Sequence, residues 1–169
     1  MKVREKTNYR KRLELLKSGL PRLVVRKTDS SVIAHIVEYG KDGDKTIAMV
    51  RGNDLKKLGW PFSGKNSSAS YLLGYLLGRK ANVKEAILDK GNRTLKENSF
   101  IYYVMKGLHD YGVDVHSNDI KADEKRMYGE HISDYYKNRK GNQFSAVGDK
   151  IGNIREEFNK TLENIKNGK

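Results

Sequence analysis

Residues 9–27 read YRKRLELLKSGLPRLVVRK, and this stretch decides the fold. It opens on a basic cluster, Arg10, Lys11 and Arg12, and continues through a short amphipathic segment carrying Leu13, Leu15 and Leu16. Ser18-Gly19-Leu20-Pro21 breaks that segment, since proline has no N–H to donate and glycine favours turns. The chain resumes as Leu23-Val24-Val25, with Arg22 before it and Arg26-Lys27 after it. A β-branched pair beside leucine suits a buried pleat, whereas guanidinium and ammonium groups stay in water unless they meet a counter-charge. The stretch therefore predicts a core strand with fixed cations at both ends. A polyanion is the partner that such a strand suits.

Outward from this strand, Val32–Tyr39 and Thr46–Val50 read as two more strands. The links Thr28-Asp29-Ser30-Ser31 and Gly40-Lys41-Asp42-Gly43-Asp44 are rich in turn formers, so the three strands form an antiparallel meander. Ile33, His35 and Val37 alternate with Val32, Ala34, Ile36 and Glu38, which predicts a strand largely covered on both faces. A short helical piece (Asn53–Leu58) and an irregular loop (Gly59–Asn66) follow. Ser67-Ser68 offer an N-cap for a helix over Ala69–Ala81 with a stripe of Leu72, Leu73, Leu76 and Leu77. Gly74 and Gly78 lie on one side of it, where close packing of the helix on the sheet accounts for them.

Glu85–Asp89 reads as a buried strand, Gly91–Asn98 as a loop, and Ser99–Tyr111 as a second long helix stopped by Gly112. Val113–Val115 adds an edge strand. Helix, strand, helix after a meander requires a crossover, so this half of the sheet is expected to be parallel. The predicted class is α/β: a mixed sheet with helices on both faces. Residues 123–138 read as helical again, followed by the loop 138–142. Val147, Ile151, Ile154, Phe158, Leu162 and Ile165 then recur at helical spacing, which predicts an amphipathic tail packed on the body or on a neighbour. The resulting division is a basic arm (1–20), an α/β domain (21–122) and a C-terminal helical extension (123–169).

The totals narrow the partners. The 169 residues carry a formal charge of +13 and an ordinary hydrophobic share of 37%, so one full core is expected under a surface that attracts polyanions. The arm alone holds seven Lys or Arg against two Glu and few apolar anchors, and is expected to order on its partner. There is no cysteine, which excludes disulfides and thiolate zinc sites. The charged start does not resemble a secretory signal, and the longest apolar run, Tyr71–Leu77, is far below the roughly 20 residues of a membrane span. The expectation is a soluble, intracellular chain.

Motifs that carry chemistry are few. Gly59-Trp60-Pro61-Phe62-Ser63-Gly64-Lys65-Asn66 approaches the phosphate loop of NTPases. Asn66, however, replaces the magnesium-binding hydroxyl, and no strand feeds the loop directly. A milder role remains, in which backbone N–H groups at the following helix, with Lys65 and Asn66, cradle a phosphate of RNA. His35, His109, His116 and His131 show no metal-ligand spacing, and His35 reads as an interior residue. Most of the abundant aspartates sit in turns or at helix ends, where they read as caps and turn formers, and no catalytic set is identified. Tyr9, inside the basic arm, is placed for stacking on an unpaired base.

With these residues in view, the run Tyr9-x-x-Arg12-Leu13-x-Leu15-Leu16-Lys17-Ser18-Gly19-x-Pro21-Arg22-Leu23-Val24-Val25-Arg26-Lys27 resembles the start of a known family. That family is the archaeal and eukaryotic type of large-subunit ribosomal protein eighteen. Further similarities follow in order: Gly59-Trp60; Asn66 before Tyr71-Leu72-x-Gly74; Ala86-Ile87-Leu88-Asp89-x-Gly91; Lys106-Gly107-x-x-Asp110-x-Gly112; and Arg126-x-x-Gly129-x-His131-Ile132-x-x-Tyr135. Together they span residues 7–135. The resemblance implies the fold of a translational machinery component in the cytoplasmic ribosome, with 5S ribosomal RNA held by the arm and one sheet edge in the central protuberance. It also implies contact with large-subunit ribosomal RNA and neighbouring large-subunit proteins, and no enzymatic activity, cofactor, metal, membrane or small-molecule substrate.

Arg10, Arg12, Lys17, Arg22, Arg26 and Lys27 are the RNA-binding positions that the resemblance implies; Tyr9, Lys11, Lys65 and Asn66 complete the candidate set. Arg22 and Arg26 are each expected to contribute about one phosphate contact. The chain departs from the family pattern at Asn98-Ser99-Phe100, where Gly-Ser-Arg is usual, at Lys65, where Gly is usual, and at His116-Ser117, where Pro-His is usual. Asn98 can take the same left-handed turn as glycine. The alternative from another class is a nucleotide- or metal-dependent RNA-processing enzyme built on Gly59–Asn66 and Asp89. Incubation with labelled ATP, GTP and RNA in magnesium separates the two, because a structural protein turns none of them over.

Overall fold

The chain is described here from a computed structural model, for residues 8–117, 121–138 and 148–168. The first residues of the arm, Asp119, Val147 and positions 139–142 of the loop lie outside the described residues. The strand Arg22–Lys27 (β1) is the centre of a five-stranded sheet. It pairs antiparallel with Val32–Gly40 (β2), which pairs antiparallel with Gly43–Arg51 (β3). On its other side β1 runs parallel to Glu85–Asp89 (β4), and β4 runs parallel to Asp114–His116 (β5). The spatial order is β3-β2-β1-β4-β5, the mixed sheet expected from a meander followed by a crossover.

The β2–β3 hairpin is longer than its sequence suggests. Gly40 pairs with Gly43, so only Lys41 and Asp42 form the turn. Glycine is required here, since a Cβ on Gly40 would lie 2.8 Å from the Gly43 carbonyl oxygen and Gly43 has φ +130°. Farther along, Ile36 pairs with Ala48 but Val37 pairs with Thr46, so Ile47 bulges out of the ladder. The two faces of β2 also differ, contrary to the reading that both are covered. Val32, Ala34 and Ile36 are fully buried, whereas Ile33 and His35 are only half-buried, because none of the described long helices lies over their side.

The long helices Ser67–Ala81 (α3) and Phe100–Tyr111 (α4) cover the first face, α3 against β2 and β3 and α4 beside β5. They touch through glycine. A Cβ on Gly74 would lie 2.1 Å from the Val104 carbonyl oxygen, and one on Gly107 would lie 2.2 Å from that of Tyr71. Gly74 therefore serves helix-on-helix packing, not the helix-on-sheet packing expected from its spacing. Between β3 and α3 stand a short helix, Gly52–Lys57 (α2), and the loop to Asn66. The arm holds a further helix, Tyr9–Leu16 (α1), on the second face near β4. It is in place in this structure, with Arg12 held by Asp44 at 2.8 Å, although its apolar side is too small to have announced an ordered element.

The expected N-cap moves by one residue. Asn66, not Ser67 or Ser68, caps α3, its Oδ1 accepting from the Ala69 N–H at 2.7 Å. Serine and asparagine are near-equal caps, and here asparagine supplies the extended backbone of the cap position. Asn66→Ala is expected to lower stability by about 1 kcal/mol in urea unfolding, the usual cost of a lost cap.

Residues 123–138 do not form one helix. Glu124–Met127 (α5) and Glu130–Lys137 (α6) are separated at Gly129, whose φ of +77° ends the first turn. A 3-10 segment, Gly148–Asn153, leads into Ile154–Asn167 (α7). The tail packs on the body: Phe158 is buried with its ring 5.4 Å from that of Tyr71 and 5.3 Å from that of Tyr128. Asn164 Nδ2 donates to the Leu58 carbonyl at 2.9 Å, and Arg79 donates to the Ile165 carbonyl at the helix end.

Candidate nucleic-acid interface

Among the described residues no long helix covers the second face of the sheet, and α1 and the loop after β4 wall it into a groove of about 990 Å³. Its floor alternates apolar and charged side chains because neighbouring strands contribute one face each: Arg22, Val24 and Arg26 from β1, His35 and Val37 from β2, Asp89 from β4. Its walls carry Lys11 and Arg12 from α1, and Lys90 and Arg93 from the loop.

The centre of the floor is a chain of alternating charges. Arg22 is buried, with side-chain exposure of 4%. Its Nη2 donates to Asp44 Oδ2 at 2.6 Å and its Nη1 to Asp89 Oδ2 at 2.9 Å. Asp44 Oδ2 also accepts from Arg12 Nη2 at 2.8 Å. Asp89 Oδ1 lies 3.8 Å from Arg26 Nη2 and accepts from the Gly91 N–H at 3.0 Å. Arg26 Nη1 further donates to the carbonyls of Val25, at 2.9 Å, and Asp89, at 3.3 Å. Three guanidiniums and two carboxylates leave one net positive charge, and the exposed ends of the chain are Arg12 and Arg26.

Asp44 reaches this centre because of the bulge at Ile47. The skipped residue pairs Asp44 with Tyr39, two positions beyond the pairing of Val37 with Thr46. Val37 is the cross-strand partner of Arg22, so both aspartate and arginine project from the open face. In an unbroken ladder Asp44 would face the helices instead, since one residue of slip turns a side chain to the other side of the sheet. Asp44 is therefore a counter-ion, and Asp89 is both a counter-ion and a turn former, its Oδ1 taking the Gly91 N–H.

The structure divides the ten candidate positions. Lys11, Arg12, Arg22 and Arg26 meet at the groove. Arg22 differs from the rest, because its guanidinium is turned inward between two carboxylates and is not presented to solvent. Tyr9, Arg10 and Lys17 stand exposed on or just after α1, Arg10 in an open i, i+4 pair with Glu14 at 3.7 Å. Lys27 is exposed at the end of β1, its ammonium 5.6 Å from the centre of the Phe100 ring. Lys65 and Asn66 are not at the groove. Lys65 Nζ donates to the Asp29 carbonyl at 2.9 Å, and Asn66 caps α3.

The loop that nearly spells a phosphate-binding motif is packed with side chains. Trp60 and Phe62 are buried and meet edge to face at 4.9 Å, and a Cβ on Gly64 would lie 2.6 Å from the Gly52 Cα. Asp89, required by the enzymatic alternative, is engaged by Arg22. Sequence reasoning missed Lys90, Arg93, His35 and His116, all of which line the groove. The signal for the first two was present: cations at Lys90 and Arg93 immediately follow a strand that ends beside β1. His35 has its pKa lowered by burial, then by Arg26 and Arg22, with Asp89 opposing. It is therefore a neutral part of the floor at pH 7.

An α/β chain with helices over one sheet face and cations around the other has the shape and charge of a module suited to a polyanion. The comparisons agree with that class. A family model described as ribosomal large subunit proteins 60S L5 and 50S L18 matches residues 2–98. The large ribosomal subunit protein uL18 of Korarchaeum cryptofilum is 46% identical over 134 residues, covering 77% of this chain and 69% of that protein. The protein of the same name from Halobacterium salinarum is 43% identical over 134 residues, with 77% and 73% covered. That of Methanothermobacter thermautotrophicus is 40% identical over the same length, with 77% and 70% covered. The chain belongs to this family of ribosomal large-subunit proteins. The family is structural and not enzymatic, which overturns the RNA-processing alternative. No described helix is long and apolar enough to cross a membrane.

Proposed function

We propose that this structural constituent of the large ribosomal subunit binds 5S ribosomal RNA through the open sheet face and α1, and attaches it to large-subunit RNA in the central protuberance. The observation that carries the reading is the ring of cations around an uncovered sheet face. Lys11, Arg12, Arg26, Lys90 and Arg93 surround one groove, while Arg10, Lys17 and Lys27 extend the positive surface beyond it. Such a surface meets the sugar-phosphate contour of folded RNA and releases condensed counterions; shape, not base sequence, governs the fit. Tyr9, with 76% exposure, is offered for stacking on an unpaired base. Arg22 and Asn66 are set aside as phosphate ligands because the fold already engages them, and Lys65 contributes only from a different side.

The test is a competition of 5S ribosomal RNA against transfer RNA at moderate salt, with the intact chain. A clear preference for 5S RNA supports the reading; equal affinity overturns it. Within the same assay, Arg26→Ala is expected to lower the slope of log affinity against log salt by about one unit, the loss of one phosphate contact. Asn66→Ala should leave that slope unchanged.

A further inference from the structure

Helix α1 carries several of the arm's cations yet has no buried residue. Eight residues alone are too few to hold a helix in water, so α1 needs an anchor outside itself. Among the described residues, the ion pair that joins α1 to the sheet is Arg12 to Asp44 at 2.8 Å. Leu15 adds a partly buried apolar contact at the groove wall. Asp44 is itself held rigidly. The same oxygen that accepts from Arg12 takes the buried Arg22 at 2.6 Å, and Arg22 is fixed on its other side by Asp89 at 2.9 Å. The sequence of supports runs from the core outward: Asp89, Arg22, Asp44, Arg12, helix.

We propose that Asp44 is a positioning residue for RNA binding: through Arg12 it holds α1 against the open sheet face, so that the cations of arm and sheet meet one polyanion together. This rests on the RNA-binding reading above. Asp44 itself need not touch RNA, and its charge opposes a phosphate. That opposition gives the inference its sign. If Asp44 were only a negative charge beside the groove, removing it would raise the local positive potential and tighten binding. If it positions α1, removing it loosens the helix and loses the contacts that α1 brings.

The decisive variant is Asp44→Asn in the full chain, which keeps the shape and removes the charge. Binding to 5S ribosomal RNA is expected to weaken on the order of tenfold, and the salt slope to fall by about two units as Lys11 and Arg12 cease to engage together. Asp44→Glu, which restores the carboxylate, is expected to recover most of the loss. Hydrogen exchange of the free protein supplies a readout without RNA. Amides of residues 9–16 should exchange faster in Asp44→Asn while those of β1 and β2 stay protected. Tighter or unchanged RNA binding by Asp44→Asn overturns the proposal.

Should Asp44→Asn fail to fold because Arg22 loses a partner, Arg12→Gln decides, since it cuts the same link without disturbing the buried pair. Faster exchange confined to residues 9–16 in that variant supports the anchor, and unchanged exchange overturns it. The two readings fail separately. Equal affinity of the wild type for 5S RNA and transfer RNA removes the RNA assignment, while the exchange result still reports on the anchor.

Discussion

Arg22→Met is expected to lower the unfolding free energy by about 3–5 kcal/mol in urea titrations, the largest loss among the changes considered. Methionine keeps much of the aliphatic volume, so the loss is electrostatic. It leaves Asp44 and Asp89 facing each other across the central strand with their shared counter-ion gone. Their side chains retain 27% and 15% exposure, so water screens part of the repulsion and the lower end of the range is expected. The control is the triple variant Arg22→Met, Asp44→Asn, Asp89→Asn. Removing the whole buried cluster is usually far cheaper than removing one member, so the triple variant should recover most of the stability. Recovery of nothing would show that packing, and not charge, was lost. A phosphate-contacting arginine would behave in the opposite way, leaving stability nearly intact and lowering the salt slope.

Gly107→Ala is expected to cost about 3 kcal/mol, equivalent to a fall in Tm of roughly 6–12 °C for a chain of this size. The added methyl would meet the Tyr71 carbonyl oxygen at 2.2 Å and the Tyr75 nitrogen at 2.8 Å. Both are backbone atoms of α3, which cannot yield without separating α3 from α4. The better helix propensity of alanine, about 1 kcal/mol, is included in that figure. Gly78→Ala is the internal comparison. Its methyl would meet the Tyr111 side chain, Cδ1 at 2.7 Å and Cβ at 3.0 Å; Tyr111 is 40% exposed and can turn outward at the loss of its edge contact with Tyr75. The net loss for Gly78→Ala is expected to be smaller, about 1 kcal/mol, because a side chain yields more readily than helix backbone and the propensity gain offsets part of the displacement. Thermal melts of the two variants side by side check the contrast. Similar losses would mean that glycine matters through backbone conformation and not through helix contact.

The glycines of α3 show how far spacing alone can be read. Gly74 and Gly78 lie four apart and present one side of a helix, so close approach of something was legible from the pattern. What approaches was not, because α4 comes from residues far along the chain and its Gly107 had to be matched to Tyr71 in space. The same limit applies to the tail. The recurrence of Ile154, Phe158, Leu162 and Ile165 predicted a helix with one apolar side, and α7 has it. Its docking against Tyr71 and Tyr128 depended on the break at Gly129, which turns α6 away from α5 and lets Ile154 pack close to the glycine.

What the sequence by itself determined is therefore local and additive: the apolar core of β1, the strands beside it, the two long helices, the excess of cations and where along the chain they fall. Hydrophobic period, turn residues and charge density act over a few residues and need no partner to be read. Which cations face solvent was decided only in three dimensions. Arg22 and Arg26 sit four residues apart on one strand and look alike, yet one is buried between carboxylates and the other is half-exposed at a groove. The difference arises because strand order brings Asp89 beside β1, and because a bulge at Ile47 turns Asp44 onto the open face. Ion pairing depends on register between distant segments, and a one-residue shift in register reverses the face on which a charge appears.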